Sequence, residues 1–346
     1  MKHQTTRYGE IPFYKIGTFG NTADAFISKK LFLEYKTKYS FPKKGDILIS
    51  ASGTIGRAVI YDGKPAYFQD SNIVWIDNDE TLVKNDFLFY AYSNVKWNTE
   101  HTTILRLYND NFRNTLIPLP PLNEQSAIAN ILSGLDRYLC ALDALILKKE
   151  GVKKSLSFEL LSQRKRLKGF NQAWQRVRLG DIANYLISNL SAEQITQQGK
   201  IKVYDVNNFI GYTDTTFISD KPYISIVKDG SVGRVRILPP KTNILSTMGA
   251  LIANHRTTTE FLFYLLSNFD FKNFISGSII PHIYFKDYKE KTIFLPPLNE
   301  QSAIADILSA LDNEIASLKN KKRQFENIKK ALNHDLMSAK IRVLRK

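Results

Sequence analysis

Several residue types are scarce in this sequence of 346 residues. It has one cysteine, Cys140, which excludes an internal disulfide. The histidines lack the spacing of metal ligands, so we expect no structural zinc. No run of about 18 apolar residues is present, and no apolar signal segment follows Met1. We therefore expect a cytoplasmic protein that makes no membrane contact.

Acidic residues are the minority charge. The 48 Lys and Arg residues outnumber 33 Asp and Glu residues, for a formal net charge of +15. This excess favours a polyanionic partner, although charge alone does not identify one. A hydrophobic fraction of 43% with 12% aromatic residues excludes a disordered chain, and the length allows two domains.

The sequence also lacks common catalytic motifs. It contains no G-x-x-x-x-G-K-[ST] loop, no G-x-G-x-x-G before a helix, no H-E-x-x-H and no G-x-S-x-G. The triplet Glu34–Lys36 has the tail spacing of a nuclease motif, but no Pro-Asp partner precedes it. We expect neither catalytic residues nor a metal site in this chain.

An internal repeat organises the chain. Residues 119–136 read LPPLNEQSAIANILSGLD and residues 295–312 read LPPLNEQSAIADILSALD, an offset of 176. Upstream, Gly53–Arg57 (GTIGR) matches Gly230–Arg234 (GSVGR) more weakly. A globular part followed by a helical part therefore occurs twice. The predicted segments are globular 1–118, helical 119–170, globular 171–294 and helical 295–346.

Each copy of the repeat predicts a long helix. Proline cannot lie inside a helix, so each helix is expected to begin after its Pro-Pro pair, with Asn123 or Asn299 as the N-cap. Apolar residues then follow in alternating steps of four and three, which predicts a coiled-coil seam between two antiparallel helices. The alternative is that each helix packs only on its own globular part. The predicted seam consists of Ile128, Leu132, Leu135, Leu139, Leu142, Ile304, Leu308, Leu311, Ile315 and Leu318.

The globular parts predict mixed sheets with a few helices, an α+β class. Runs of β-branched and aromatic residues at 45–50, 57–63 and 224–230 are bounded by turn residues and predict short strands. Apolar runs at 86–92 and 260–267 better suit helices.

Two kinds of loop are candidate nucleic-acid contacts. The paired glycines of the GTIGR and GSVGR turns permit close approach to phosphates, although a plain hairpin turn is the alternative. Aromatic and polar side chains near Tyr108 and Tyr284 suit groove contacts, and there too a structural role is the alternative. The candidates are Lys15, Thr54, Arg57, Arg106, Tyr108, Asn109, Ser231, Arg234, His282, Tyr284 and Lys286.

The whole chain resembles the specificity subunits of type I restriction-modification enzymes. The resemblance lies in the doubled P-P-L-x-E-Q-x-x-I motif, in LLSQRKRLKGF at 160–170, in Trp174 and in VRLGDIA at 177–183, with variable regions between. It implies a non-catalytic subunit with two target-recognition domains, each reading one half of a split sequence in double-stranded DNA. The two helices would pair antiparallel as a spacer.

The resemblance also implies partner subunits. Modification (methyltransferase) subunits, two in number, would dock on the helices, with Glu124, Gln125, Glu300 and Gln301 as docking candidates. Restriction subunits would join through the complex. S-adenosylmethionine, ATP and Mg would be bound by those partners, and this chain would hold no cofactor. The alternative function is a truncated scaffold or regulatory variant that binds modification subunits without reading a full site.

The first copy departs from the second at its start. Trp174 and Leu179–Ala183 precede Gly199 by up to some 25 residues, whereas the first copy begins near Gly9, the equivalent of Gly199. We therefore expect the first recognition domain to lack its opening segment. The chain ends at the counterpart of Phe170, so no later segment is expected to replace it.

Overall fold

The chain divides into two compact units, each with one globular part and a piece of both long helices. The computed structural model describes residues 4–68, 72–99 and 105–344. Unit 1 comprises Met1–Asp143 and Asn320–Lys346, and unit 2 comprises Ala144–Lys319. The unit boundaries therefore fall inside the helices predicted from the repeat.

Unit 1 contains short strands in two sheets. Its elements are β1 (Ile11–Tyr14), β2 (Ala25–Ile27), α1 (Lys29–Lys38), β3 (Ile47–Ser50), β4 (Ala58–Ile60), β5 (Tyr67–Phe68), β6 (Ile73–Trp75), α2 (Asn85–Tyr92), α3 (Asn109–Arg113) and the first part of α4 (Leu122–Leu161). Strand β1 pairs antiparallel with β2 and parallel with β5. Strand β3 lies between β4 and β6, antiparallel to both.

Unit 2 repeats these two sheets, extends one of them by β8 and adds a third sheet of two strands, β7 and β15. Its elements are β7 (Gln175–Arg178), β8 (Ala183–Ile187), β9 (Ile201–Tyr204), β10 (Phe209–Thr213), β11 (Tyr223–Val227), β12 (Val235–Leu238), β13 (Asn243–Ile244), β14 (Met248–Ala253), α5 (Thr259–Ser267), α6 (Phe285–Tyr288), β15 (Thr292–Leu295) and the first part of α7 (Leu298–Met337). The strand orders are β10-β9-β13, β12-β11-β14-β8 and β15-β7.

A short apolar helix covers the central strand in each unit. Every residue of β3 and of β11 is buried, which explains their near-continuous apolar sequences. In unit 1, Leu88 and Tyr92 of α2 pack on Ile47 and Ile49. In unit 2, α5 contacts β11, β12 and β14 in the same way. The strands and the two helices predicted at these positions are therefore confirmed.

The two long helices pair antiparallel within each unit. In unit 1, Lys322 Nζ lies 2.7 Å from Asp143 Oδ1, and Lys329 pairs with Asp136. In unit 2, Lys153 Nζ lies 2.5 Å from Asp312 Oδ1. Residue numbers rise along one helix as they fall along the other, which defines the direction. The predicted α+β class with an internal repeat is confirmed, whereas supercoiling of the helix pair stays a prediction.

The predicted seam packs on both kinds of neighbour. In unit 1, Ile128 and Leu132 of α4 share a buried cluster with Leu336 of α7 and with Phe87 of α2. Leu308, which is fully buried in unit 2, similarly joins a cluster that includes α5. The two alternatives considered from the sequence therefore hold together. None of the ten predicted seam residues is exposed.

The helices begin directly after the Pro-Pro pair, two residues earlier than an asparagine N-cap would place them. They start at Leu122 and Leu298, so Asn123 and Asn299 lie in the first turn. Each asparagine accepts a hydrogen bond at 2.9 Å from the backbone N–H of the glutamate that follows it. The asparagines therefore still satisfy a backbone donor of the first turn, as a capping residue would.

Candidate nucleic-acid interface

In unit 2, the glycine turn connects β11 to β12. Gly230 and Gly233 have φ values of +84° and +80°, a region that glycine adopts without strain. The turn joins two antiparallel strands, so the alternative of a tight hairpin turn describes its backbone. A Cβ on Gly233 would also lie 2.6 Å from Phe271 Cδ2, so close packing excludes a side chain there.

A second loop, residues 275–284, is hydrogen-bonded to this turn. The N–H of Gly230 donates to Pro281 O at 2.9 Å, and the N–H of Ile283 donates to Lys228 O at 2.9 Å. His282 Nδ1 lies 2.7 Å from Asp229 Oδ1. These contacts bring the GSVGR turn beside the loop that carries His282 and Tyr284. In the sequence, these two residues follow the turn by 48 residues or more.

The second loop exposes a small aromatic and cationic cluster. Tyr284 is 48% exposed and stacks with the His282 ring at a centroid distance of 6.4 Å. Lys286 Nζ lies 5.5 Å from the centre of the Tyr284 ring. Together with the exposed Ser231 and Arg234, these side chains present hydrogen-bond donors and positive charge on one loop pair.

Unit 1 contains the same arrangement. The turn Gly53–Arg57 connects β3 to β4, and the N–H of Leu107 donates to Ala51 O at 2.9 Å. A bridge between Ser52 and Arg106 adds to this pairing. Tyr108 is 43% exposed and immediately precedes α3, whose first residue, Asn109, is also exposed.

The turn after β1 also reaches this loop pair. Arg57 Nη1 donates to Phe19 O at 2.9 Å, and a Cβ on Gly53 would lie 3.8 Å from Ile16 Cγ1. Lys15 belongs to the same turn and forms an exposed ion pair of 2.8 Å with Asp24. The candidates of unit 1 therefore converge on one loop cluster, as those of unit 2 do.

The sequence did not single out two features of this loop cluster in unit 2. Ile279 and Ile280, at the tip of the second loop, are 92% and 54% exposed, an apolar pair that the chain leaves in solvent. The second feature is the pairing of Asp229 with His282, in which the Asp229 side chain is 26% exposed. Burial, and then the negative charge of Asp229, raise the pKa of the nearby Tyr185. Adjacent isoleucines between a glycine and a proline were the available signal for the first feature. The second needed the fold.

The four docking candidates at the helix starts have internal partners. Gln301 accepts from the N–H of Thr258 at 3.0 Å and donates to Pro296 O at 2.8 Å, and Gln125 makes the equivalent bonds to Lys84 and Pro120. Both glutamines are fully buried. Their amides anchor each long helix to the loop before the short apolar helix.

The glutamates next to these glutamines bind arginines of the other long helix's end segment. Glu300 accepts from Arg166 Nη2 at 2.6 Å and from Trp174 Nε1 at 2.9 Å. Glu124 accepts from Arg342 Nη2 at 2.5 Å, and this guanidinium holds the pKa of its carboxyl below the usual range. All four side chains are buried and have partners within the chain. That they dock a partner subunit stays a prediction.

Two features of the described residues bear on the expected absences. Within that part of the chain, no group of three or more His, Cys, Asp or Glu side chains is placed to hold a metal ion. No helix there combines the length and apolarity needed to cross a bilayer.

Comparison with known proteins gives the family. The model of the type I restriction modification DNA specificity domain matches residues 1–149 and again residues 171–327. The chain belongs to this family. The predicted resemblance is thus confirmed, and the two matches correspond to the two copies of the repeat.

Individual relatives agree with the family. A Haemophilus influenzae protein assigned as a type I restriction enzyme specificity subunit is 65% identical over 133 residues, which are 38% of this chain and 34% of that protein. A Methanocaldococcus jannaschii protein assigned as the specificity subunit of the type I restriction enzyme MjaX is 29% identical over 335 residues, covering 86% of this chain and 79% of the relative. The crystal structure of the S subunit from M. genitalium superposes with a TM-score of 0.64 at 20% identity, covering 97% of this chain and 91% of that one, and supports the fold.

Proposed function

We propose that this chain is the DNA sequence-recognition subunit of a type I restriction-modification complex, with each unit reading one part of a two-part target. The observation that carries the proposal is the glycine turn bound to a second loop with exposed tyrosine and cationic side chains, formed once in each unit. Membership of the DNA specificity family supports the same conclusion.

The two kinds of side chain suit different parts of DNA. Arg57 and Arg234 would contact phosphates, which supply affinity and salt dependence without reading sequence. Asn109, His282 and Tyr284 carry donors or acceptors that suit base edges in a groove. Ile279 would add an apolar contact of the kind that thymine methyl groups accept.

The chemistry would belong to partner subunits. We infer that modification subunits, two per chain, transfer the methyl group from S-adenosylmethionine, and that restriction subunits use ATP and Mg. This chain would be non-catalytic, bind no cofactor and act in the cytoplasm with its DNA. Since the glutamates and glutamines at the helix starts are internal, we place docking on exposed apolar residues of α4 such as Leu147 and Phe158, which are 71% and 52% exposed.

Selection from a random duplex pool tests the proposal. The chain is purified with its modification subunit, bound to the pool at fixed salt, and the bound DNA is sequenced. We expect two short motifs separated by a constant gap. Stable assembly without enrichment would favour the scaffold alternative, and methylation or cleavage by the purified chain alone would contradict the non-catalytic assignment.

Two arginine variants test the phosphate contacts. Arg234→Ala and Arg57→Ala should each weaken binding to all sequences alike and reduce the salt slope by about 1. Binding is measured on the selected site and on a scrambled duplex across a salt series. Loss confined to the selected site would assign these arginines to base edges instead.

A further inference from the structure

An exposed arginine of unit 2 is held in a fixed position on a tyrosine. Arg236 lies on β12, two residues after the end of the glycine turn. Its Cζ lies 5.2 Å from the centre of the Tyr204 ring, and its Nη1 donates to Asn207 O at 3.0 Å. The ring contact and the hydrogen bond together fix the plane of the guanidinium group.

Both groups that hold Arg236 are fixed by the fold. Asn207 lies in the turn between β9 and β10, where Asp205 Oδ1 accepts from the N–H groups of Asn207 and Asn208 at 2.8 and 2.7 Å. Tyr204, at the end of β9, packs on the buried cluster that includes Tyr223. The position of the guanidinium group is therefore set before any ligand binds.

Arg236 keeps its charge for a ligand. Among the described residues, its guanidinium forms no ion pair and has Asn207 O as its one acceptor. By contrast, Arg166 and Arg178 of the same unit pair with Glu300 and Glu290. A guanidinium group has five N–H donors in one plane, so four of them remain for a ligand.

This arginine lies beside the candidate nucleic-acid contacts. The N–H of Val227 donates to Arg234 O at 2.9 Å, so the pairing of β11 with β12 continues to Arg234. Residues two apart in a strand share one face and are about 7 Å apart. Arg234 and Arg236 therefore lie on the same face, at a spacing of about two nucleotide steps of a DNA strand.

Unit 1 has a valine at the equivalent position. The glycine turns and the registers of the strands that follow them make Val59 the equivalent of Arg236. The registers of β1 and β9 make Tyr14 the equivalent of Tyr204. A groove of about 430 Å³ in unit 1 is lined by both Tyr14 and Val59. The two units therefore share the tyrosine and differ in the residue that could donate hydrogen bonds.

We propose that Arg236 reads a base, a guanine in the part of the target that unit 2 recognises. An arginine bonds guanine O6 and N7 through two N–H groups, which requires the guanidinium plane to be correctly oriented. Phosphate oxygens accept a cation from many directions, so fixation on a tyrosine ring would add little to a phosphate contact. This inference rests on the proposed function and deepens it, because Val59 has no donor and unit 1 would read no guanine at the equivalent position.

Arg236→Val is the variant that tests the proposal. It introduces the residue of unit 1, and valine suits a strand. The chain is purified with its modification subunit and selected on a random duplex pool. We expect the wild type to select a guanine at one position of one half-site, and the variant to lose that preference alone. Binding to the wild-type site should weaken about tenfold, whereas the other half-site should be selected as before, which also shows that the chain is folded.

Arg176→Val is the matched control. It removes the same charge from an exposed position of β7 and should leave the guanine preference unchanged. Weaker binding of Arg236→Val to all sequences alike would indicate a phosphate contact and overturn the proposal, and so would an unchanged motif. A wild-type complex that selects no motif at all would instead contradict the proposed function.

Tyr204 is a positioning residue in this proposal. Tyr204→Leu keeps an apolar side chain but removes the ring under the guanidinium group, so the preference for guanine should fall about threefold at the same base position. Tyr14→Leu, the equivalent change in unit 1, should leave that preference unchanged. Equal losses at every position of the half-site in Tyr204→Leu would contradict the positioning role.

Discussion

Unit 1 and unit 2 share the glycine turn and the buried Glu-Gln pair at the start of a long helix, but they differ in the number of strands. Both present a glycine turn bound to a second loop, and both hold the long helices through a buried Glu-Gln pair. Unit 2 adds β8 to the edge of one sheet and pairs β7 with β15, whereas the described part of unit 1 has no counterpart of β7 or β8. The repeated features serve packing within each unit, and the difference between the units lies in the added strands of unit 2.

The largest expected effect tests whether the helix contacts are equal in both units. Leu132 and Leu308 are repeat equivalents and both are fully buried. Each change to alanine should lower the free energy of unfolding by roughly 2–5 kcal/mol, through lost burial and a cavity. Chemical denaturation measures it. Leu147→Ala, at a residue 71% exposed on the same helix, is the control and should change little. A large inequality between the two core variants would contradict equal packing.

Removal of the buried glutamate should destabilise unit 2 more than unit 1. Glu300→Ala leaves Arg166, whose side chain is 27% exposed, without its carboxylate partner. The free energy of unfolding should fall by about 3 kcal/mol. Glu124→Ala frees Arg342, which is 51% exposed and can hydrate, so its loss should be smaller. Thermal unfolding of both variants checks the order. The reverse order would show that Trp174 alone compensates for the lost carboxylate.

The glycine turns should be equally sensitive in both units. A Cβ at Gly56 would lie 2.4 Å from Trp97 Nε1, and Gly233 has a similar conflict with Phe271. Gly56→Ala and Gly233→Ala should each cost about 2 kcal/mol and weaken DNA binding. Gly230→Ala, which meets no atom within 4 Å but keeps a positive φ, should cost about 1 kcal/mol. Equal losses at all three sites would assign the whole effect to backbone strain.

The smallest expected effect is the pH dependence of the stability that Glu124 contributes to unit 1. Hydrogen bonding and charge from Arg342 lower the pKa of Glu124 from its ordinary value of 4.5. The ionised carboxylate therefore adds stability above about pH 4.5, and this contribution is lost as the pH falls through the lowered pKa of the folded state. Glu124→Gln should lower the Tm at pH 7 and have a diminishing effect below pH 4.5. A difference in Tm that persists in strong acid would contradict ionic stabilisation.

Local patterns predicted much of this molecule. The repeat, the two long helices and the glycine turns follow from spacing and from residue types with restricted backbones, such as the Pro-Pro pairs. The candidate contacts were named residue by residue from the sequence, and the fold brings the loops of each cluster together. That these residues contact DNA stays a prediction. Glu124 and Gln301 were named as docking candidates because they open the helices on which the resemblance places the modification subunits. Their burial depends on arginine and backbone partners far along the chain.

Taken alone, the sequence is sufficient for the family, the twofold repeat and the class of each helix, because these depend on local periodicity and on motif identity. Only the folded chain decides that identical leucines at 119 and 295 have opposite surroundings, that the loops converge, and that the helix-start carboxylates are internal. The physical reason is that burial and hydrogen bonding depend on which distant segments arrive beside a residue. Two identical sequences therefore differ when one has a strand partner and the other has none among the described residues.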